Sequence, residues 1–566
     1  MCGIFAIYCP RDGSCVEKFK LQQAIKYSRL QKHRGPDFHG YYQNEQTGDI
    51  LCHERLAIMD LGCIQPIQGT QPDHQVIHNG EIYNHHKLRT TVLKEYSMST
   101  TCDSEVIIFL YEKLRSGEIC SLLDGVFAFA LIYGDEFMAA RDPIGVKPLY
   151  YGVDEKGRYM FSSEMKVIEK LCGKNELTAF PPGHYWTPSE GFVQYYKPAW
   201  LDYTLAAEPM DLKAIRETLI EATVKRLMSD APIGVLLSGG LDSSLVSSIA
   251  VRRMRELGMP IRSFSIGLDE TSPDLLAARK VAAFLGTEHH ECTFTVEEGI
   301  SILKKLIWHL ETYDVTSVRA STPMYFLSKK ISDLGIKVVL SGEGADEIFG
   351  GYLYFHNAPN DEEFQKETIR RVCLLSTADC LRADKSCMAN HIEVRVPFLD
   401  KQFLNIAMLT APQHKRPMEK DGRSVEKWIL RKAFDVPENP YLPEEILWRQ
   451  KEQFSDGVGY NWIDQLMEYC TKQVTDEQMA TAAQKFPHNT PHTKEAYFIR
   501  EVFHEHFGSD AAARTVLKWI PKWQANQDPS GRANQVHQKS IVQSKKTTEN
   551  GHSAVLTQGL ADKDSA

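Results

Sequence analysis

The chain has 566 residues, 43% hydrophobic and 25% charged, with a formal net charge of −9, which suits a globular protein of two or three domains. The negative balance and the lack of a long basic run argue against a general nucleic-acid binder, and no apolar stretch approaches the ~20 residues that cross a bilayer. Thirteen cysteines, an odd number without a CxxC pair, point to reduced thiols in a cytoplasmic protein rather than a disulfide framework.

The opening MCGIFAIYCP is apolar but has no basic n-region and no cleavage site, so it does not read as a signal peptide. Up to about residue 196, short apolar runs are broken by Gly, Pro, Asn and Asp, which predicts a β-rich layered domain. Removal of Met1 would make Cys2 the N-terminal residue. Such a residue carries a nucleophilic thiol together with a free α-amino group, of usual pKa roughly 7.7–8.0, that can take the thiol proton. Asn79–Gly80, taken alone, reads as a type I′ hairpin turn.

Residues 197–210 are polar and contain proline, as a linker would. Asp211 then precedes an amphipathic helix with Leu212, Ile215, Leu219 and Leu227 on one side. Beyond it, apolar strands at 233–237, 261–268 and 336–340 alternate with helical patterns, including 272–285. This alternation predicts a doubly wound parallel sheet with helices on both faces. Patterns from 361 to about 507 are mostly helical, and Cys373, Cys380 and Cys387, seven residues apart, read as one helical stripe. His289–His290 and His504–Glu505–His506 lack metal-site spacing, so no zinc site is expected.

The string SGGLDSS at 238–244 lies between the strand at 233–237 and a helix marked by Leu241, Leu245 and Ile249. A strand, a glycine turn and a helix start form an anion cradle, because unpaired N–H groups and the helix dipole converge there. The GK[ST] ending of a Walker A loop is missing. A second glycine loop, SGEGADEIFGGY at 341–352, follows the strand at 336–340. Loops at the carboxyl ends of parallel strands are where open α/β sheets bind ligands. Glu343, Asp346 and Glu347 beside a nucleotide phosphate would repel it unless Mg²⁺ intervened; alone, such loop acids are solvated.

Several strings extend this reading by resemblance. SGGLDSS resembles the pyrophosphate loop of enzymes that split ATP between its α- and β-phosphates. HRGPD (33–37), RLAIMD with Arg55, NGEIYN with Asn79, Gly80 and Glu81, and CDSE with Asp103 resemble, with Cys2, the class II glutamine amidotransferases. That family of N-terminal nucleophile hydrolases implies an αββα sandwich. It also implies Arg55 on the glutamine carboxylate, Asp103 on its ammonium, and an oxyanion site at the Asn79 side chain and Gly80 N–H. Glu81 would support substrate binding, with an exposed loop charge as the alternative.

SFSIGLDETSPDLLAARKVA, EGADEIFGGYLYFHNAP, RVPFLD and LWRQKEQFSDGVGY resemble the glutamine-hydrolysing asparagine synthetases, with similarity from Cys2 to about Ala533. The resemblance implies a glutaminase domain at 1–196 and a synthetase domain at 211–523 on either side of the linker at 197–210, while residues 524–566, polar and low in aromatics, read from composition as a disordered tail. Substrates would be glutamine, aspartate and ATP with Mg²⁺, the products asparagine, glutamate, AMP and pyrophosphate. Ser238, Gly239, Gly240, Asp242 and Ser243 would hold pyrophosphate and its metal, with Asp346 as a second metal ligand. Leu237, Ile266, Ser341 and Gly342 would line the adenosine site. Glu343 would be a general base and Lys451 would stabilise the α-phosphate, though bare sequence makes Lys451 a solvated charge. Arg319 in VRAS is a further candidate for phosphate. Two sites on one chain imply an internal passage for ammonia, whose lining the sequence does not locate. No nucleic acid or membrane partner is expected, and a homodimer is the assembly entertained. A synthetase of the same fold acting on another acid, and a nitrogen-sensing binding protein without turnover, are the rival readings.

Overall fold

The computed structural model describes residues 2–13, 15, 17–172, 176–451, 457–459 and 461–524; the tail expected beyond them lies outside the described residues. Its first half is built from two six-stranded sheets. One runs in the order Leu177–Ala179, Tyr150–Val153, Tyr159–Ser162, Gly3–Tyr8, Ile50–Arg55, Phe38–Gln43. The other runs Gly191–Gln194, His184–Thr187, Glu136–Arg141, Gly125–Tyr133, His74–Ile82, Ile67–Gln68. Side chains alternate across each strand, so both faces must be covered where the whole strand is apolar. In Gly3–Tyr8, Ile4, Ala6 and Tyr8 enter the layer between the sheets with Ala128, Ala130, Ile132 and Phe137. Phe5 and Ile7 point the other way, into a core shared with Ala24 and Met165 of the helices Leu21–Ser28 and Met165–Cys172. Phe127, Phe129 and Leu131 pack on the opposite outer face with Val106 and Leu110 of Glu105–Leu114. The result is the expected αββα sandwich.

The chain then makes two short 3₁₀ turns, Ala199–Leu201 and Tyr203–Leu205. Trp200 is buried among them, and Glu208 pairs with Thr410. Asp211 caps the helix Leu212–Lys225 by accepting from Ala214 N–H at 2.8 Å; Leu227 falls just past its end.

The second half holds a five-stranded, wholly parallel sheet in the order Glu288–Thr293, Arg262–Gly267, Ile233–Leu236, Val338–Leu340, Glu393–Arg395. Chain order runs outward to one side of Ile233–Leu236 and then resumes on its other side. The switch point therefore lies between Ile233–Leu236 and Val338–Leu340, whose carboxyl ends open a crevice. Both glycine loops emerge there. The helix Pro273–Leu285 starts on Pro273 and stops at Gly286 in the left-handed region, the usual asymmetry of helix ends. Cys373 does not share a helix with Cys380 and Cys387: Asp361–Leu374 gives way to a 3₁₀ turn, and Ala378, at φ −125° and ψ −99°, breaks the path before Asp379–Met388. One apolar core continues from Phe5 and Met165 through Leu303 and Leu310 to Trp462, so the two halves are packed together.

Candidate active sites

Cys2 sits at the entry to the first sheet and faces Asn79 on the second. Its N–H donates to Asn79 Oδ1 at 2.9 Å, its carbonyl accepts from Arg34 Nε at 2.9 Å, and its thiol lies 3.9 Å from the Leu56 carbonyl. Asn79–Gly80 is not a hairpin turn. Both residues lie inside His74–Ile82, opposite Ala128 and Phe127. Gly80 has φ +146°, and a Cβ there would stand 2.0 Å from the Val126 carbonyl, so no other residue fits without moving the neighbouring strand. Asn79 Nδ2 donates to Ser163 Oγ at 3.4 Å.

Arg55 is occupied differently from the expectation. Its guanidinium donates to the carbonyls of Met59, Asp60 and Leu61 at 2.9, 2.6 and 3.3 Å, holding that turn in place. Asp103 accepts from Ile82 N–H at 2.7 Å. Glu81 lies 3.2 Å from Arg395, and its Oε2 is buried with no hydrogen-bond partner. Burial pushes both carboxyls well above the usual range, and Asp103 raises Glu81 further. Two buried acids thus stand close together, one with an unsatisfied oxygen, an arrangement that a nearby cation would stabilise.

Arg395 belongs to the last strand of the parallel sheet, so the second half reaches into this pocket. Other charges cross the same seam. Arg34 Nη1 meets Glu164 at 2.7 Å and Asp384 at 2.8 Å, while Glu311 accepts from the backbone N–H of Met165 and Lys166 and pairs with Lys385.

At the switch point the two glycine loops touch. A Cβ on Gly342 would stand 2.6 Å from Ser243 N. Ser238 N–H donates to Ser243 Oγ at 3.2 Å, closing the first loop on itself. Leu237, Ser238, Gly240, Asp242 and Ser243 line the cavity from this side, and Ser341, Gly342, Glu343 and Asp346 from the other. Ile266, with Leu236 and Phe264, gives it an apolar end; Lys451 also lines it. Gly239 does not: at φ +72° it packs against Ala277 and Ala278 of the helix Pro273–Leu285. Arg319 is a correction to the sequence reading. Its guanidinium is paired with Glu495 at 2.8 and 2.6 Å, away from the cavity lining, because it lies on the flank of Val315–Asp333 that faces Lys494–His506.

Lys427, which no sequence motif marked, is the hub of the acidic cluster. Its Nζ stands 2.5 Å from Asp242 and 2.6 Å from Asp346, while Lys451 Nζ is 2.8 Å from Asp346. Burial raises Asp346, but the two lysines overcome it and hold the carboxyl at about 2. For Asp242 burial wins over Lys427 and the carboxyl is raised; its Oδ1 is buried without a hydrogen-bond partner. That orphaned oxygen fits Mg²⁺, which takes one or two carboxylates and completes its shell with nucleotide phosphates. Among the described residues no group of three or more His, Cys, Asp or Glu could hold a metal alone. Glu343 meets Arg382 at 2.6 Å, and Arg382 meets Asp379 at 3.2 Å. Burial lifts the Glu343 carboxyl above its usual value despite Arg382.

A layered sandwich with a buried cysteine at the start of an inner strand, joined to a parallel sheet with two phosphate-type loops, defines a glutamine amidotransferase coupled to an ATP-pyrophosphatase synthetase. Residues 1–183 match the family described as glutamine amidotransferase domain, and residues 214–364 and 358–529 match asparagine synthase. The chain is 50% identical over 563 residues to a probable glutamine-hydrolysing asparagine synthetase of Dictyostelium discoideum, covering 95% of this chain and 99% of that one. It is 48% identical over 561 residues to glutamine-hydrolysing asparagine synthetase 1 of Arabidopsis thaliana, covering 94% and 93%. The chain belongs to the glutamine-hydrolysing asparagine synthetase family.

Proposed function

We propose that the chain makes asparagine in two linked steps, with residues 1–196 releasing ammonia from glutamine and residues 211–523 spending ATP on aspartate. The observation that carries the reading is one chain holding Cys2 and the two-loop cavity on either side of a buried, charge-paired seam. In the first step the Cys2 thiolate attacks the glutamine amide, the C–N bond breaks to release ammonia, and water then cleaves the thioester to free glutamate and restore the thiol. Loss of Met1 would free an α-amino group where Cys2 N now meets Asn79 Oδ1, positioned to take the thiol proton and pass it to departing ammonia. Asn79 Nδ2 and Gly80 N–H would face the oxyanion, with Asp103 and Glu81 meeting the substrate ammonium. Arg55 would recognise the carboxylate through its remaining donor capacity or by holding the Met59–Leu61 turn.

In the second step the aspartate side-chain carboxylate attacks the α-phosphorus of ATP. β-Aspartyl-AMP forms and pyrophosphate leaves into the cradle of Ser238, Gly240, Asp242 and Ser243. Bound by Asp242 and Asp346, Mg²⁺ would neutralise phosphate charge. Lys451 and Lys427 would turn from the aspartates to phosphate oxygens. Leu237, Ile266, Ser341 and Gly342 would seat the adenosine. Glu343, lifted by burial, would take a proton from ammonia as it attacks the acyl carbon. Thirteen cysteines, an odd number with no CxxC pair, favour a reducing, cytoplasmic setting; no described helix is long and apolar enough to cross a membrane.

Incubation with amide-¹⁵N glutamine, aspartate, ATP and Mg²⁺ tests the scheme. Labelled asparagine should appear with equal amounts of AMP and pyrophosphate. ADP as product, or no dependence on aspartate, would overturn it.

A further inference from the structure

The cavity at the switch point has a side that neither nucleotide nor metal accounts for. Asp379 and Arg382 line it from the first turn of the helix Asp379–Met388, one helical turn apart on the same face. Arg382 is only 6% exposed. Its Nη2 donates to Glu343 Oε1 at 2.6 Å and to Asp379 Oδ1 at 3.2 Å. Its other terminal nitrogen, Nη1, is buried with no hydrogen-bond partner among the described residues. The helix itself is anchored: Asp384 pairs with Arg34 at 2.8 Å, and Lys385 with Glu311. The guanidinium is therefore held in place and not free to swing toward another acceptor.

An unpaired guanidinium donor inside a protein is costly, because it has given up water without gaining an acceptor. A carboxylate oxygen is the partner its planar fork fits best. Charge adds a second requirement. Arg382 already faces two carboxyls, Glu343 and Asp379, so a bare carboxylate at Nη1 would set three acids around one cation. A ligand that carries its own cation beside its carboxylate restores the balance. Glu343 belongs to the second glycine loop and is taken as the base, which leaves Asp379 for that cation. A free carboxylate next to an ammonium is the zwitterionic end of an α-amino acid.

We propose that Arg382 and Asp379 recognise the α-carboxylate and α-ammonium of the amino-acid substrate, an assignment that rests on reading the second step as adenylation of aspartate. Arg382 Nη1 donates to an α-carboxylate oxygen, and Asp379 accepts from the α-ammonium. With that end fixed by one helical turn, the side-chain carboxylate is the one left to reach the α-phosphorus. Arg382 Nη2 meanwhile keeps its hold on Glu343, so one side chain reads the substrate and positions the base.

The test compares full-length Arg382→Gln, Arg382→Lys and Asp379→Asn with the parent protein, by pyrophosphate release from ATP and Mg²⁺ with ammonia as nitrogen source. Each variant should raise the aspartate KM about tenfold or more and leave the ATP KM unchanged. Arg382→Lys keeps a cation against Glu343 and Asp379 but loses the fork, and the glutaminase rate reports whether each variant is folded. Succinate lacks the α-ammonium and β-alanine the α-carboxylate, so as competitors of aspartate they separate the roles. Arg382→Gln should weaken competition by succinate and spare that by β-alanine; Asp379→Asn should do the reverse. An unchanged aspartate KM in the folded variants would overturn the proposal. So would a fall in kcat alone, which would leave Arg382 only holding Glu343, or an equal rise in the ATP KM. A parent protein that releases no pyrophosphate in response to aspartate would overturn the reading of the second step, and this subsite with it.

Discussion

Cys2 is held through its main chain on both sides, by Asn79 at its nitrogen and Arg34 at its carbonyl. Losing the sulfur therefore leaves the surrounding bonds in place. Cys2→Ala should abolish glutamine-dependent synthesis, by at least about a thousandfold, and leave ammonia-dependent synthesis intact; assays with each nitrogen source check this. Loss of both in a folded variant would show that the sites are not separable in this way. Glu343→Ala should do the converse, cutting asparagine formation while glutaminase persists. At this scale the strings pointed to residues that the structure brings together, Cys2 against Asn79 and Asp242 with Asp346 along one cavity. It was silent on Lys427, Arg382 and Arg395, whose places depend on partners far along the chain. It misled for Arg319, offered by resemblance as a phosphate contact, because the guanidinium is paired with Glu495.

Among elements, strands and helices with a strong apolar period were legible, and the parallel sheet followed from their alternation. Local dipeptide preference was a poorer guide. Asn79–Gly80 reads as a turn, yet pairing with Gly125–Tyr133 keeps it in mid-strand, since tertiary context outweighs turn propensity. The seven-residue cysteine spacing likewise hid a helix break at Ala378. The contact between the two glycine loops is a property of elements rather than residues, and Gly342 is where it is tightest. Gly342→Ala places a methyl 2.6 Å from Ser243 N, so one loop must move. ATP-dependent synthesis should fall about tenfold or more while glutaminase is retained; the ratio of the two rates is the measurement.

Across the whole molecule, ion pairs link the halves. Asp400 caps Lys401–Leu409 and faces Lys225 and Arg226; Lys225 also meets Asp124 of the first half at 2.8 Å. Burial would raise Asp400, but Arg226 and Lys225 overcome it and bring the carboxyl to about 2, below the ordinary 3.8. A folded value below the unfolded one gives stability that is full above the unfolded pKa and is lost as pH falls through the folded one. Asp400→Asn should therefore lower the melting temperature at neutral pH and flatten its decline between about pH 4 and 2; thermal melts across that range decide it. An unchanged acid limb would mean that Asp400 does not contribute to acid unfolding.

Arg34 finds Asp384 across 350 residues of chain. While the polypeptide is being made, the front sandwich emerges from the ribosome long before that partner and before Arg395 can reach Glu81. A nascent fragment thus lacks a finished pocket around its cysteine.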